Sequence, residues 1–190
     1  MNKIGILGGT FNPVHVGHLA VADYACQKLG LNKVIFVPSA LPPHKTAKGV
    51  IAAKHRFEML KIAIGANPKF ELCDYEIQKG GKSYSIDTVK FLKSLYPAEV
   101  KFYFIIGEDN FPGLAKWKNI GELMTLAEFV VVSRPDAGSA DNEFKIRFLK
   151  MPGLDVSSTY IRKNIAQRHS IRYLIPAEVL QYIKVHKLYL

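Results

Sequence analysis

The chain has little cysteine, no membrane-length apolar run and few acidic residues for its number of basic ones. Its 190 residues include two cysteines, Cys26 and Cys73. They do not form a C-x-x-C pair, and both lie in apolar periodic segments. This argues against a disulfide framework and points to core thiols in a reducing compartment. No apolar stretch approaches the ~18 residues that span a bilayer. Met1-Asn2-Lys3 leads into a short apolar run without a signal-peptide h-region and cleavage site. A cytoplasmic protein without a membrane partner is expected. Repeats, low-complexity tracts and internal linkers are lacking too, so one domain over residues 1–190 is expected. The acid shortfall, 16 Asp and Glu against 26 Lys and Arg, leaves a formal charge of +10. That favours anionic partners without distinguishing nucleotides, nucleic acid or acidic lipid. A long Lys/Arg run and an RNP1 pattern are both missing, which argues against nucleic acid. No Ser-His-Asp or nucleophilic-Cys arrangement is present.

What is present is a dense junction, Gly8-Gly9-Thr10-Phe11-Asn12-Pro13-Val14-His15-Val16-Gly17-His18. It follows a buried strand, Ile4 to Leu7. It precedes a helix whose Leu19, Ala22, Cys26 and Leu29 recur at helical spacing. A strand-to-helix turn of this kind is where α/β sheets bind phosphate. Gly8 and Gly9 present bare backbone. His18 falls at a helix start, where free N–H groups favour anions. The H-x-x-H spacing has no third ligand near it, so no zinc site is expected.

Lys33 to Val37 completes a βαβ unit, with parallel strands and a right-handed crossover. Pro42-Pro43-His44-Lys45 stiffens the loop that follows and carries two polar groups. Ile51 to Gly65 reads as an amphipathic helix with Ala53, Phe57, Leu60 and Ile64 inward. Lys54, His55, Arg56, Glu58 and Lys61 are expected on its wet face. Lys69 to Ile77 reads as a strand and Gly80-Gly81 as a turn. Ser83-Tyr84-Ser85-Ile86-Asp87-Thr88 leads into a helix through Leu95, with its hydroxyls as candidate caps. Val100 to Ile106 is a central strand ending in Gly107-Glu108-Asp109. An acidic residue there can hold ribose hydroxyls or cap the next helix. Trp117, between two lysines, is either a stacking platform or a core anchor. Two further strands are expected, Glu128 to Ser133 and Phe144 to Lys150, joined by a flexible loop from Arg134 to Asn142.

Ser157-Ser158-Thr159-Tyr160-Ile161-Arg162 forms the second chemical junction. Ser157 or Ser158 can cap a helix running to about Gln167, and Arg162 lies one turn after Ser158. Hydroxyls, free N–H groups and a guanidinium then converge as a phosphate donor cluster. Pro176 opens a last helix with Val179, Leu180 and Ile183 inward. The whole reads as an α/β protein with a Rossmann-like, doubly wound, mainly parallel sheet and helices on both faces. The helical part from about residue 157 is expected to pack on that sheet.

Taken together, the residues resemble the H-x-G-H nucleotidyltransferase superfamily, and within it the bacterial nicotinate-nucleotide adenylyltransferases. His15-Val16-Gly17-His18 matches the superfamily motif, and Ser157 to Arg162 matches its S-S-T-x-I-R partner, about 140 residues away. Pro42 to Lys45, Arg56 with Met59, Ser83 to Thr88, Ile106-Gly107-x-Asp109 and Trp117 carry the subfamily likeness, which extends from residue 4 to 189. The resemblance implies transfer of AMP from ATP to nicotinate mononucleotide, with Mg²⁺ on the triphosphate.

It also implies roles. His15, His18 and Arg162 would be catalytic. ATP would meet Gly8, Gly9, Thr10, Phe11, His18, Gly107, Asp109, Ser157, Ser158, Thr159 and Arg162. The mononucleotide would meet Asn12, His44, Lys45, Tyr84, Ser85, Trp117 and Lys118. Asn12 departs from the Asp that many members carry there, keeping an acceptor but losing a charge. Enzymes of this fold that act on nicotinamide mononucleotide or phosphopantetheine are the alternatives, with a non-catalytic nucleic-acid binder behind them. Self-association into a homo-oligomer is compatible with the sequence, which sets no oligomeric state.

Overall fold

A computed structural model describes residues 2–41, 49–133, 144 and 146–190. Six parallel strands stand in the order β3-β2-β1-β4-β5-β6: β1 (Lys3–Gly9), β2 (Lys33–Pro38), β3 (Phe70–Leu72), β4 (Lys101–Gly107), β5 (Glu128–Ser133) and β6 (Arg147–Lys150). The four inner strands, β2, β1, β4 and β5, are apolar on both sides because the sheet is covered on both faces, whereas the edge strands β3 and β6 carry exposed charges. Successive residues alternate between two cores. Leu7, Val34, Phe36, Tyr103, Ile105, Val130 and Val132 face one of them. Ile4, Ile6, Ile35, Val37, Phe102, Phe104, Ile106, Phe129 and Val131 face the other. Each such side chain, fully buried, contributes ~1.5–3 kcal/mol, so a one-residue slip would exchange both cores at once.

The first core is closed by α1 (Val16–Leu29), α2 (Ala53–Ile64), α6 (Ser158–Ala166) and α7 (Ala177–Val185). The second is closed by α4 (Ser85–Ser94), α5 (Ile120–Leu126) and a 3-10 helix over Glu108–Lys116. Ile161, Ile171, Ile175, Val179 and Ile183 join the same cluster as Leu7 and Val14, so the C-terminal helices do pack on the sheet. Leu180 is only half-buried.

Two expectations are corrected. Lys69 to Ile77 is not one strand. Pairing with β2 stops at Leu72, and a short helix α3 (Tyr75–Lys79) follows. Tyr75 stacks on Phe91 at 4.1 Å, and Glu76 is buried against Thr88, so contacts with α4 override the local strand pattern. Arg56 is not on a wet face; it is 1 % exposed, whereas Phe57 is half-buried. The expected loop at 134–142 and the residues Pro42, Pro43, His44 and Lys45 lie outside the described residues.

The strand order reverses between β1 and β4. Chains leave these two strands in opposite directions, which opens a crevice at their carboxyl ends. Leu7 pairs with Ile105, two residues before Gly9 and Gly107, so both glycine junctions open onto that crevice.

Candidate active site

The floor is the turn after β1. Gly8 is exposed, and a Cβ there would meet only the Phe104 ring, at 3.8 Å. Packing among the described residues therefore does not require a glycine there. Gly9 differs: a Cβ would sit 2.9 Å from the Phe11 ring, which fills that space. Phe11 is buried, with φ at +46°, and meets His18 edge-on at 4.9 Å. The Asn12–Pro13 peptide is cis.

His15 caps α1, and its backbone N–H donates to Nδ1 of His18 at 3.2 Å. With Nδ1 of His18 accepting, the ring proton of its neutral form is held on Nε2. The two imidazoles stack at 3.7 Å. Such closeness suits at most one charge. His15 is 6 % exposed, and burial drives its pKa down to about 4, so it is neutral at physiological pH. Gly17 makes this geometry possible. A Cβ there would lie 2.9 Å from Val156 and 3.0 Å from the His15 ring.

The second junction folds onto the first. Ser157 caps α6, its Oγ accepting from the Tyr160 N–H at 3.2 Å. Ser158 Oγ donates to the Pro13 carbonyl at 2.8 Å. Arg162 donates from Nη1 to the Asn12 carbonyl at 2.8 Å and from Nη2 to Thr159 Oγ1 at 3.2 Å. The three hydroxyls thus build the helix start and tie it to the first turn. Arg162 is half-buried and keeps further guanidinium donors beyond these two bonds.

Arg56 is a structural member that sequence reasoning placed wrongly. Its guanidinium donates to the carbonyls of Ile51 (3.2 Å), Thr10 (2.8 Å) and Ala40 (3.0 Å). Burial presses its pKa below the ordinary value, and each of its three nitrogens meets a carbonyl in place of a carboxylate. It pins the turn after β1 to the turn after β2. A signal was available: Arg56 shares an i, i+4, i+8 row with Leu60 and Ile64, on the buried stripe. Asn12, which the resemblance sets among the substrate contacts, has its side chain engaged within the protein. It is 4 % exposed, its Nδ2 donates to the Gly49 carbonyl at 2.8 Å and its Oδ1 accepts from the Ile51 N–H at 3.3 Å.

On the β4 side, a Cβ at Gly107 would meet Asp109 Oδ1 at 2.7 Å, so the Asp109 carboxylate folds back over that glycine. Asp109 is exposed and accepts from Asn110. Trp117 is half-buried and packs edge-on against Phe104 and Phe129 at 5.7 and 6.3 Å. The core therefore anchors one part of it and leaves another accessible. Lys118 Nζ lies 4.4 Å from the Tyr84 ring centre, which brings together two residues far apart in sequence. Ser85 is the first residue of α4, where N–H groups have no intrahelical acceptor. The hydroxyls expected as caps there act elsewhere. Ser83 Oγ accepts from the Ala40 N–H, and Thr88 Oγ1 donates to Glu76 at 2.5 Å. Among the described residues, no group of three or more His, Cys, Asp or Glu could hold a metal ion, and no helix is long and apolar enough to cross a membrane.

A bare-glycine turn, stacked histidines and a guanidinium converge at the switch point of this α/β fold, an arrangement suited to the phosphates of a nucleotide. A cytidylyltransferase-like family model matches residues 6–164. A probable nicotinate-nucleotide adenylyltransferase of Lactiplantibacillus plantarum is 45 % identical over 187 residues, covering 98 % of this chain and 88 % of the relative. One from Oceanobacillus iheyensis is 42 % identical over 189 residues, covering 100 % and 97 %. The solved Plasmodium falciparum nicotinic acid mononucleotide adenylyltransferase complexed with NaAD superposes with a TM-score of 0.82 at 23 % identity, covering 100 % of this chain and 98 % of that one. That likeness shows the fold. The chain belongs to the cytidylyltransferase-like family and, within it, to the nicotinate-nucleotide adenylyltransferases.

Proposed function

We propose that the protein transfers the adenylyl group of ATP to the 5′-phosphate of nicotinate mononucleotide. A phosphate oxygen of the mononucleotide bonds to the α-phosphorus of ATP, the bond from that phosphorus to the β-phosphate bridge breaks, and pyrophosphate leaves with the electron pair. The nucleophile is already an anion, so no side chain has to remove a proton. The protein's work is to hold two polyanions in line and stabilise the charge that develops. Mg²⁺ enters as part of the substrate, on the triphosphate, and neutralises charge there.

The observation that carries this reading is the joining of the two junctions, through Arg162 to the Asn12 carbonyl and Ser158 to the Pro13 carbonyl, beside the β1–β4 crevice. In it, His18, Arg162 and the start of α6 face the triphosphate, with His15 and Thr10 at the α-phosphate. Gly107 and Asp109 take the adenosine ribose. The nicotinate ring lies against Trp117, its carboxylate met by N–H groups near Ser85 and Lys118, with Tyr84 alongside. His44 and Lys45 belong to the reading by sequence alone. The net charge of +10 suits two anionic substrates. The unpaired Cys26 and Cys73 suit a reducing, cytoplasmic setting. Residues 1–190 act in this reading as one domain, which the shared core of β1, α6 and α7 supports.

The test is pyrophosphate release from MgATP with nicotinate mononucleotide, nicotinamide mononucleotide or phosphopantetheine as acceptor. The highest kcat/KM is expected with the nicotinate compound; a preference for either other acceptor overturns the assignment. Trp117→Ala should raise KM for the mononucleotide with kcat little changed. An unchanged KM removes Trp117 from the pocket.

A further inference from the structure

The proposed reaction uses nothing beyond α6, yet a side chain that follows α7 reaches the turn after β1. Past Val185 the backbone turns left-handed at Lys187 (φ +49°), buries Leu188, and turns left-handed again at Tyr189 (φ +66°). The Tyr189 hydroxyl donates to Asn12 Oδ1 at 3.0 Å, across 177 positions of sequence. Burial raises its pKa, against the pull of the neighbouring Arg162 and Arg56, so the phenol stays protonated and a donor.

Asn12 is where this contact acts. Its Oδ1 accepts from both Tyr189 and the Ile51 N–H, its Nδ2 donates to the Gly49 carbonyl, and its main-chain carbonyl receives Arg162. One side-chain amide therefore joins the C-terminal segment to residues 49–51. The same residue supplies the carbonyl against which the Arg162 guanidinium is oriented. The amide is chemically specific here. An aspartate would set a carboxylate oxygen against the Gly49 carbonyl, acceptor against acceptor. Losing the Tyr189 donor leaves Oδ1 with the longer of its two bonds and the amide freer to rotate.

We infer that Tyr189 is a positioning residue for adenylyl transfer, its hydroxyl holding Asn12 so that the Asn12 carbonyl keeps Arg162 aligned on the phosphates. This rests on the function proposed above. Tyr189→Phe removes only the hydroxyl. It should fold, lower kcat roughly fivefold, as loss of one ordinary hydrogen bond does, and leave KM for nicotinate mononucleotide unchanged. In an Asn12→Ala background the same substitution should cost nothing further, because the residue it acts through is gone. Full kcat in Tyr189→Phe, or penalties that multiply in the double variant, overturns the role. Should Asn12→Ala not fold, amide hydrogen exchange at Ile51 decides in its place: exchange several-fold faster in Tyr189→Phe is expected, and unchanged protection overturns the link. If the unaltered protein releases no pyrophosphate from ATP and nicotinate mononucleotide, the proposed function fails and the role with it. An active parent with an unaffected Phe variant sinks the positioning role alone.

Discussion

At the scale of single residues, the site depends on close approach and on charge kept off a buried ring. Gly17 leaves room for both Val156 and the His15 imidazole, each of which a Cβ there would crowd. His15 is neutral because burial penalises the imidazolium, with its pKa at about 4 against an ordinary 6.5. Between those values the unfolded chain binds more protons than the folded one. The stability His15 contributes is complete above pH ~6.5 and is lost as pH falls toward 4. His15→Asn should flatten that acid limb by up to about 3 kcal/mol. Denaturant midpoints at pH 7 and pH 4.5 for parent and variant measure it; parallel curves would count against the buried neutral ring. His18 is a different kind of residue, a proposed donor to the triphosphate. His18→Ala should lower kcat by ~10²–10³ in a protein that still folds. A near-normal rate rejects that role.

At the scale of elements, α3 and α4 form a unit that local pattern does not reveal. Its centre is Glu76, 8 % exposed, accepting from Thr88 Oγ1. Burial raises the Glu76 pKa, with the hydrogen bonds from Thr88 and Ser83 opposing. The sign is opposite to that of His15. This contribution is full at low pH and is lost as pH rises through the folded-state value. Glu76→Gln keeps an acceptor for Thr88 without the charge, so it should gain stability relative to the parent as pH rises. Thermal melts at pH 4.5 and 7.5 test this, and a gain confined to the lower pH contradicts it. The same elements show what the sequence pattern could and could not convey. Strands β1, β2, β4 and β5 were legible because each is an unbroken apolar run covered on both faces. The helix in Tyr75–Lys79 was not, because its contacts with α4, Tyr75 on Phe91 and Glu76 on Thr88, decide it. The burial of Arg56 showed only in its helical row with Leu60 and Ile64; its partners, carbonyls of three separated segments, did not show at all.

At the scale of the whole molecule, the β1–β4 reversal gathers groups that no local rule would join. If ATP binds across these junctions, it binds only the folded state. MgATP at a hundred times its Kd should then stabilise the protein by about 2.7 kcal/mol, a rise in Tm of roughly 5–10 °C for a chain of this size. Arg162→Ala should lose most of that shift. A full shift in the variant would place the triphosphate elsewhere.

By itself, the amino-acid order determined the doubly wound class and the two glycine- and serine-bearing junctions. Those follow from apolar periodicity, glycine and capping chemistry, all of which act within a turn or two of chain. Only the tertiary structure decided that Arg162 grips the Asn12 carbonyl, that Arg56 lies inside and that Tyr189 returns to the first turn. Each of these matches a buried or half-buried donor to a carbonyl or amide oxygen, most of them distant in sequence. Burial makes such a match compulsory, and the strand order chooses the partners.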